Sequence, residues 1–308
     1  MIMSIISAII PIVVILLLGK AIARAGIISA DGWLGLESIT YYALFPALIV
    51  SKLAVAEFDA LDWRMPAALV AAQLLITVAS IALSKLLRQP DQQIGVLVQS
   101  GVRWNTFIAL ALAQDVIGEI GIALIAAAAA VMVPTANLLS IVALSRFSGQ
   151  PFSATSLFRQ VLTNPLIIAS IIGIAINASS VRLAADITTT LDILAQGAVA
   201  LGLLTSGAYI QVRRIGTPFS ALIGWSMFRL LGLPLAAGAI AFALNIQPEI
   251  FLVVLIATAV PTASNGAILA RKLGGDATLA ANLIAFQTVL ALISVAAVIG
   301  TADMMGLI

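Results

Sequence analysis

Two short polar stretches interrupt long apolar runs of this chain. The first reads RWNT, Arg103 to Thr106, and the second reads AVPTASNG, Ala259 to Gly266. Pro261 removes a backbone donor and clashes with the preceding helical turn, so the helix that contains it should break and leave backbone groups unpaired. Those groups, with the neighbouring Asn, Thr and Ser side chains, could bind a polar solute. The alternative is a kinked packing helix whose hydroxyls bond to their own backbone.

Two arginines, Arg103 and Arg229, also lie within apolar runs. A guanidinium inside a bilayer is costly unless it meets an anion, a wet cavity or a partner. Because a guanidinium binds a carboxylate through two parallel hydrogen bonds, both arginines are candidate contacts for an anionic substrate. The alternative is that each pairs with the carbonyls of a broken helix or reaches the cytoplasmic face.

Other chemistry is poorly supported by the composition. The chain has no Cys and no His, so Ser–His and Cys–His nucleophiles are excluded, and no P-loop motif is present. We therefore expect no enzyme, no cofactor and no metal site. Asp115 and Glu119 are expected to be loop charges, and no carboxylate reaches the middle of an apolar run, which argues against a carboxylate cage for sodium. A net charge of +2 gives no reason to expect a nucleic-acid partner.

The elements that position these residues are predicted to be membrane-spanning helices. The chain is 62% hydrophobic and only 9% charged, with a mean hydropathy of +1.17, more apolar surface than a soluble globule can bury. Spanning a bilayer takes roughly 20 apolar residues. The fold class is therefore an all-α integral membrane protein, with runs at about 4–23, 33–55, 65–87, 94–113, 120–145, 161–178, 187–209, 218–244, 250–270 and 279–300.

The distribution of Lys and Arg predicts the orientation of these ten spans. Three basic residues fall in the even-numbered gaps, and ten fall in the odd-numbered gaps: Lys20, Arg24, Lys85, Arg88, Arg146, Arg159, Arg213, Arg214, Arg271 and Lys272. Cytoplasmic loops carry the excess of basic residues. We expect an inner-membrane protein with both termini outside, and a first span that is retained because it has no basic n-region and no cleavage site.

The order of features suggests two related halves. Pro11 and Gly19 in the first span match Pro165 and Gly173 in the sixth. Residues 1–147 and 161–308 would each form five spans joined by a linker at 148–160. Because five is odd, the second half must enter the membrane in the opposite sense, as in the inverted repeats of secondary transporters. Asn105 and Pro261 each lie about 16 Å into their spans, so broken helices four and nine should meet near the midplane.

The chain resembles the auxin efflux carrier family, bacterial branch, within the bile/arsenite/riboflavin transporter superfamily. The stretches that carry the resemblance are ITYYALFPALIVSKLA, RWNTFIALALAQDVIG, LTNPLIIASIIGIAI, FRLLGLPL and AVPTASNGAILA, in that order. The resemblance implies a scaffold domain of spans one, two, six and seven and a transport domain of spans three to five and eight to ten. It also implies broken helices four and nine that cross at the substrate site, and elevator-like transport of organic anions such as auxin, malate or malonate.

The family's two crossovers match particular residues of this chain. The first matches Asn105 and Thr106, and the second matches Pro261, Thr262, Ser264 and Asn265. Where the family commonly has a proline after the asparagine, this chain has ALALA, Ala109 to Ala113, which leaves the unwinding of helix four open. Asn137, Gln287 and Thr288 are further polar residues within the spans. Each is expected either to line the cavity or to bond between helices. Pro134, close to Asn137, favours a site at Asn137.

The function expected from these features is secondary active transport of small organic anions. A sodium-coupled symporter is one alternative. A transporter-like sensor is another, which would be expected to append a soluble signalling domain. The expected partners are an organic anion and the lipid bilayer, with a homodimer left open.

Overall fold

The computed structural model describes residues 2–56, 62–149, 159, 162–179, 183–210 and 218–308, and this part of the chain folds almost entirely into helices. Most of the expected linker at 148–160 lies outside the described residues, as do Arg182, Arg213 and Arg214. The helices are α1 (Ile2–Arg24), α2 (Ala30–Ile39), a π-helical turn (Thr40–Leu44), α3 (Phe45–Leu53), α4 (Arg64–Leu86), α5 (Asp91–Val102), α6 (Thr106–Val116), α7 (Glu119–Ser148), α8 (Pro165–Ala178), α9 (Ala185–Ala208), α10 (Phe219–Ala243), α11 (Pro248–Ala259), α12 (Gly266–Lys272) and α13 (Ala277–Met304).

Within the residues that the structure describes, eight helical segments are long and apolar enough to cross a membrane, which makes this a multi-pass membrane protein. Two further apolar helices are shorter, α8 with 14 residues and α11 with 12. At about 1.5 Å per residue neither alone covers a hydrocarbon core of about 30 Å. The predicted sixth and ninth spans are therefore not single long helices in the described structure: α8 begins at Pro165, and the ninth run breaks at Val260.

Local sequence explains where several helices begin. The Asn164 side chain accepts a hydrogen bond from the Leu166 amide, and Pro165 occupies the first helical position of α8. Asp276 accepts from the amides of Thr278 and Leu279 at the start of α13. Such caps satisfy the amides that a helix N-terminus leaves without partners.

The helices pack in two groups. The first group contains α1, α2, the π-helical turn, α3, α8 and α9, with α1 against α9 and α3 between α8 and α9. The second group contains α4 to α7 and α10 to α13. Within the first group, α1 and α9 approach so closely that a Cβ on Gly19 would lie 2.1 Å from the carbonyl oxygen of Leu204, and one on Gly207 would lie 2.1 Å from that of Leu16. Glycine is therefore required at both positions by the backbone contact.

Candidate functional site

The site lies where two helix breaks meet in the second group. One break separates α5 from α6 at Arg103–Asn105, and the other separates α11 from α12 at Val260–Asn265. The two breaks begin alike, because Arg103 and Val260 both have extended backbone with ψ of 154°. The Asn105 amide donates to the Pro261 carbonyl at 2.8 Å, and the Gln99 side-chain amide donates to the Gly266 carbonyl at 3.0 Å. The breaks are thus hydrogen-bonded to each other.

The predicted fourth span breaks completely between α5 and α6. It does so although this chain lacks the proline that the family commonly has after the asparagine. The Asn105 side-chain oxygen accepts from the amides of Phe107 and Ile108, each at 3.2 Å. It therefore acts as the N-cap of α6, and a cap of this kind starts a new helix after non-helical residues. A capping asparagine in the first break does what Pro261 does in the second.

A cavity of about 80 Å³ opens between these breaks and the first group of helices. Since one water occupies roughly 10–15 Å³ on this measure, the cavity has room for several waters or a small solute. Six of the predicted site residues line it: Arg103, Asn105, Thr106, Asn137, Ser264 and Asn265. The first group contributes one residue each from α2, the π-helical turn, α3 and α8, so the cavity lies at the boundary between the two groups: Glu37, Tyr41, Phe45 and Leu166.

Arg103 is the cation of this cavity. Its Nη2 donates to the Asn265 side-chain oxygen at 2.8 Å, which joins the first break to the second. Glu37 lines the same cavity. Arg103 is thus oriented by an asparagine and shares the cavity with a carboxylate from the first group.

The remaining polar groups of the cavity are neutral. The Asn105 Nδ2 donates to the Ser206 hydroxyl at 3.1 Å, and that hydroxyl lies 3.4 Å from the Ser264 hydroxyl. Ser206 belongs to α9, so this chain of contacts crosses from one group to the other. Thr106 begins α6, and Asn137 reaches the cavity from α7, three residues after Pro134.

Arg229 does not line the cavity. Its side chain is fully buried, with Nη1 donating to the Thr258 carbonyl at 2.5 Å and Nε and Nη2 donating to the Arg103 carbonyl at 3.3 and 3.2 Å. The guanidinium therefore joins the last turns of both broken helices. Of the two roles considered for Arg229, the geometry matches pairing with carbonyls, and an anion in the cavity would not contact it.

Gln73 occupies the position in the first half that Arg229 occupies in the second. Its Nε2 donates to the carbonyls of Val102 and Met132, at 3.1 and 3.2 Å. Gln73 and Arg229 are 156 residues apart, and so are Val102 and Thr258, the carbonyls that they bind. A buried side chain therefore holds the end of each half-helix, neutral in one half and charged in the other.

Pro261 and Thr262 also lie away from the cavity. The Thr262 amide donates to the Gln287 side-chain oxygen at 3.1 Å, and Gln287 Nε2 donates to the Ser100 hydroxyl at 2.6 Å. Thr288 donates to the Ile284 carbonyl of its own helix at 2.7 Å. These contacts anchor the second break to α13 and α5, so Gln287 and Thr288 bond between or within helices and do not line the cavity.

A larger cavity of about 420 Å³ lies among α10, α11 and α13. Its lining is almost wholly apolar, and the Thr301 hydroxyl there already donates to the Ala297 carbonyl. An anion would find neither charge nor free donor in it. The smaller cavity at the breaks is therefore the candidate site.

Sequence reasoning missed several lining residues. The aromatic side chains of Tyr41, Phe45, Trp104 and Phe107 form much of the apolar wall, with the rings of Phe45 and Phe107 5.4 Å apart. The Trp104 indole nitrogen is buried without an acceptor among the described residues. A signal for Glu37 exists in the sequence, since a carboxylate within an apolar run is unusual, but Glu37 lies near the start of the second span and not in its middle.

Residues 150–299 match the family model described as Membrane transport protein. No curated protein matches the chain. The match covers the second half, including Arg229, the second break and most of α13.

Proposed function

Because this chain carries the domain of the auxin efflux carrier family, a family of membrane transporters, we propose that it is a secondary active transporter of small organic anions. The substrate class comprises mono- and dicarboxylates, including malate, malonate and auxin-like acids. Transport needs no covalent step.

The observation that carries this proposal is the guanidinium of Arg103 in a cavity formed at two helix breaks. A carboxylate would accept two parallel hydrogen bonds from it. The N-terminus of α6 adds a favourable field, since a helix N-terminus attracts anions and Thr106, its first residue, lines the cavity. The amides of Asn137 and Asn265 can orient a carboxylate without adding charge.

The arrangement of helices supports alternating access. We propose ten spans in two inverted repeats, in which α8 forms the sixth span and α11, the second break and α12 together form the ninth. The first packing group would be the scaffold domain, and the second the transport domain. Since the cavity lies at the boundary between them, an elevator-like movement of the second group would carry the bound anion across the membrane.

Sodium coupling is the alternative mechanism, and Arg229 makes it less favourable at the helix breaks. Carbonyls freed by unwound helices are typical sodium ligands in transporters. Here the carbonyls of Arg103 and Thr258 already accept hydrogen bonds from the Arg229 guanidinium. A fixed positive charge thus holds both half-helices, and a sodium ion beside it would be repelled.

Ligand binding to purified protein tests the proposed function. We expect at least one of benzoate, lactate, malate, malonate and indole-3-acetate to raise the thermal unfolding temperature, because a ligand at 100 times its Kd adds about 2.7 kcal/mol. The amide of the best ligand is the control and should have no effect.

Arg103 variants test the site itself. Arg103→Gln should weaken binding by about 1.5–3 kcal/mol, roughly ten- to hundredfold in Kd. Arg103→Lys should recover only part of this, because an ammonium lacks the planar pair of donors. Competition by cations or neutral solutes as strong as by carboxylates, or normal transport by Arg103→Gln, would show that the arginine is structural.

A further inference from the structure

An ion pair joins the two packing groups outside the candidate site. The Lys52 ammonium, in the last turn of α3, donates to a carboxylate oxygen of Glu119, the first residue of α7. Since α3 belongs to the first group and α7 to the second, this pair crosses the boundary on which the cavity lies. The other ion pair found within the described residues, Asp62 with Arg64, joins near neighbours in the chain and does not cross it.

Both partners of this ion pair lie at helix ends that their own group holds in place. The Ser51 hydroxyl donates to the Asp192 carboxylate of α9 at 2.5 Å, and the Asn177 side chain of α8 donates to the carbonyl of the last residue of α3 at 3.0 Å. Glu119 begins α7, where the helix dipole favours a carboxylate. The pair therefore links a fixed point of the first group to a fixed point of the second.

The packing around the cavity shows where the two groups are closed against each other. The half-helix α6, which follows Asn105, packs against α1 and α9 of the first group. Phe107 of α6 lies so close to α9 that a Cβ on Gly202 would come within 2.2 Å of its ring. The other inner segments of the two broken spans, α5 and α12, make their main contacts within the second group. The groups are thus closed beside α6 and not beside α5 and α12.

The proposed topology gives this closure a side of the membrane. Lys52 follows the second span and Glu119 lies between the fourth and the fifth, so both fall in gaps that the basic residues place outside. By the same rule α5 begins, just after Arg88, and α12 ends, at Lys272, on the cytoplasmic side. With alternating access, this arrangement is the inward-facing one, closed to the outside.

We propose that the Lys52–Glu119 ion pair is an outer latch, which stabilises the inward-facing state and breaks when the second group moves to face outside. The proposal rests on the proposed function, because a latch acts only if the two groups move past each other. An exposed ion pair changes an equilibrium by about 1.5- to 5-fold. This modest effect suits a transporter, which must populate both states, whereas a much stronger pair would hold it in one of them.

The test follows which side of the membrane reaches the cavity. Ala263 lines the cavity and is partly buried, and the chain has no natural cysteine, so Ala263→Cys provides a single reporter. A small impermeant thiol reagent should modify it faster in inside-out vesicles than in intact cells. The slower rate in intact cells then follows the fraction of the protein that faces outside.

Neutral variants of the ion pair should raise the rate from outside. Lys52→Met and Glu119→Gln, each with the reporter, should each increase it by about 1.5- to 5-fold. The double variant should be no faster than the faster single one, because the interaction is lost only once. Asp115→Asn is the matched control: it removes an exposed carboxylate of the same hairpin that forms no ion pair within the described residues, and should change nothing.

Ionic strength gives an independent readout. Since salt screens exposed charges, raising it should speed modification of the wild-type pair from outside towards the rate of the single variants, and should leave those variants unchanged. Equal rates in all backgrounds, or increases that multiply in the double variant, would overturn the latch. A wild-type reporter that reacts faster from outside than from the cytoplasm would overturn the inward-facing assignment and the latch with it.

The labelling needs no substrate, so its outcome is separate from that of the anion proposal. If variants differ as expected but no carboxylate binds, the latch stands and the anion site fails. If the reporter reacts from outside in no background, movement between the groups fails as a mechanism, and the latch fails with it, whereas the Kd of the carboxylates still decides the anion site.

Discussion

Arg103 is partly buried and Arg229 is fully buried, and the two guanidiniums have different partners. Arg103 donates to a side chain at the edge of a cavity, whereas Arg229 donates only to backbone carbonyls. A fully buried guanidinium whose three nitrogens all donate to backbone carbonyls is not placed to bind a ligand in the cavity. At the residue scale, the distinction between binding and positioning follows from the partner atoms and not from the residue type.

Arg229 variants test its positioning role. Arg229→Gln copies the side chain that Gln73 provides in the first half and should keep one carbonyl contact. We expect a loss of stability of about 1–3 kcal/mol, the cost of leaving one buried polar group unsatisfied. Arg229→Leu leaves the carbonyls of Arg103 and Thr258 both unpaired and should lose more.

The measurements are thermal unfolding in detergent and the Kd of the best carboxylate. Since Arg229 acts by positioning the backbone of Arg103, part of the binding lost in Arg229→Leu should return in Arg229→Gln. If Arg229→Gln is less stable than Arg229→Leu, or binds no better, the carbonyl clamp is not its role.

At the scale of elements, hydropathy and polar interruptions predicted most of the helices but not how they end. The runs at 65–87 and 218–244 differ from α4 and α10 by one residue at each end. In span four, Asn105 was the residue that predicted the break. The break there depends on a side chain that caps the next helix, and not on a proline. Residues from α2 and the π-helical turn were missed, since no pattern in one span says which other span it will face.

The contact between α1 and α9 provides an element-scale prediction. Gly207→Ala should destabilise the protein by about 1–3 kcal/mol, because the added Cβ would lie 2.1 Å from the Leu16 carbonyl oxygen and the helices must separate. Gly224→Ala in α10 is the matched control, since nothing lies within 4 Å of the Cβ it would add. Thermal unfolding should show the control unchanged or slightly stabilised by its better helix propensity. Equal melting of both variants would contradict the close contact.

At the scale of the whole molecule, orientation and the broken ninth span are tested together. Gln247 precedes α11 and Lys272 ends α12, and both are exposed. Since the chain has no natural cysteine, Gln247→Cys should react in intact cells with an impermeant maleimide, and Lys272→Cys only after permeabilisation. The positive-inside distribution gives this sign. Labelling of both from outside would refute a ninth span, and the reverse pattern would refute the orientation.

A disulfide between the two packing groups tests whether transport requires their relative movement. The Ser206 and Ser264 hydroxyls, one in the first group and one in the second break, lie 3.4 Å apart. Ser206→Cys/Ser264→Cys should therefore form a bond on mild oxidation, because the side chains are already within reach of each other. If the second group moves as a body past the first, the bond holds the cavity on one side of the membrane. Oxidation should then stop uptake into proteoliposomes, and reduction should restore it to the level before oxidation.

The two single-cysteine variants, treated with the same oxidant, measure any effect of the substitutions alone. Full uptake by the oxidised double variant, with loss of its free thiols verified, would mean that substrate crosses without movement between the groups.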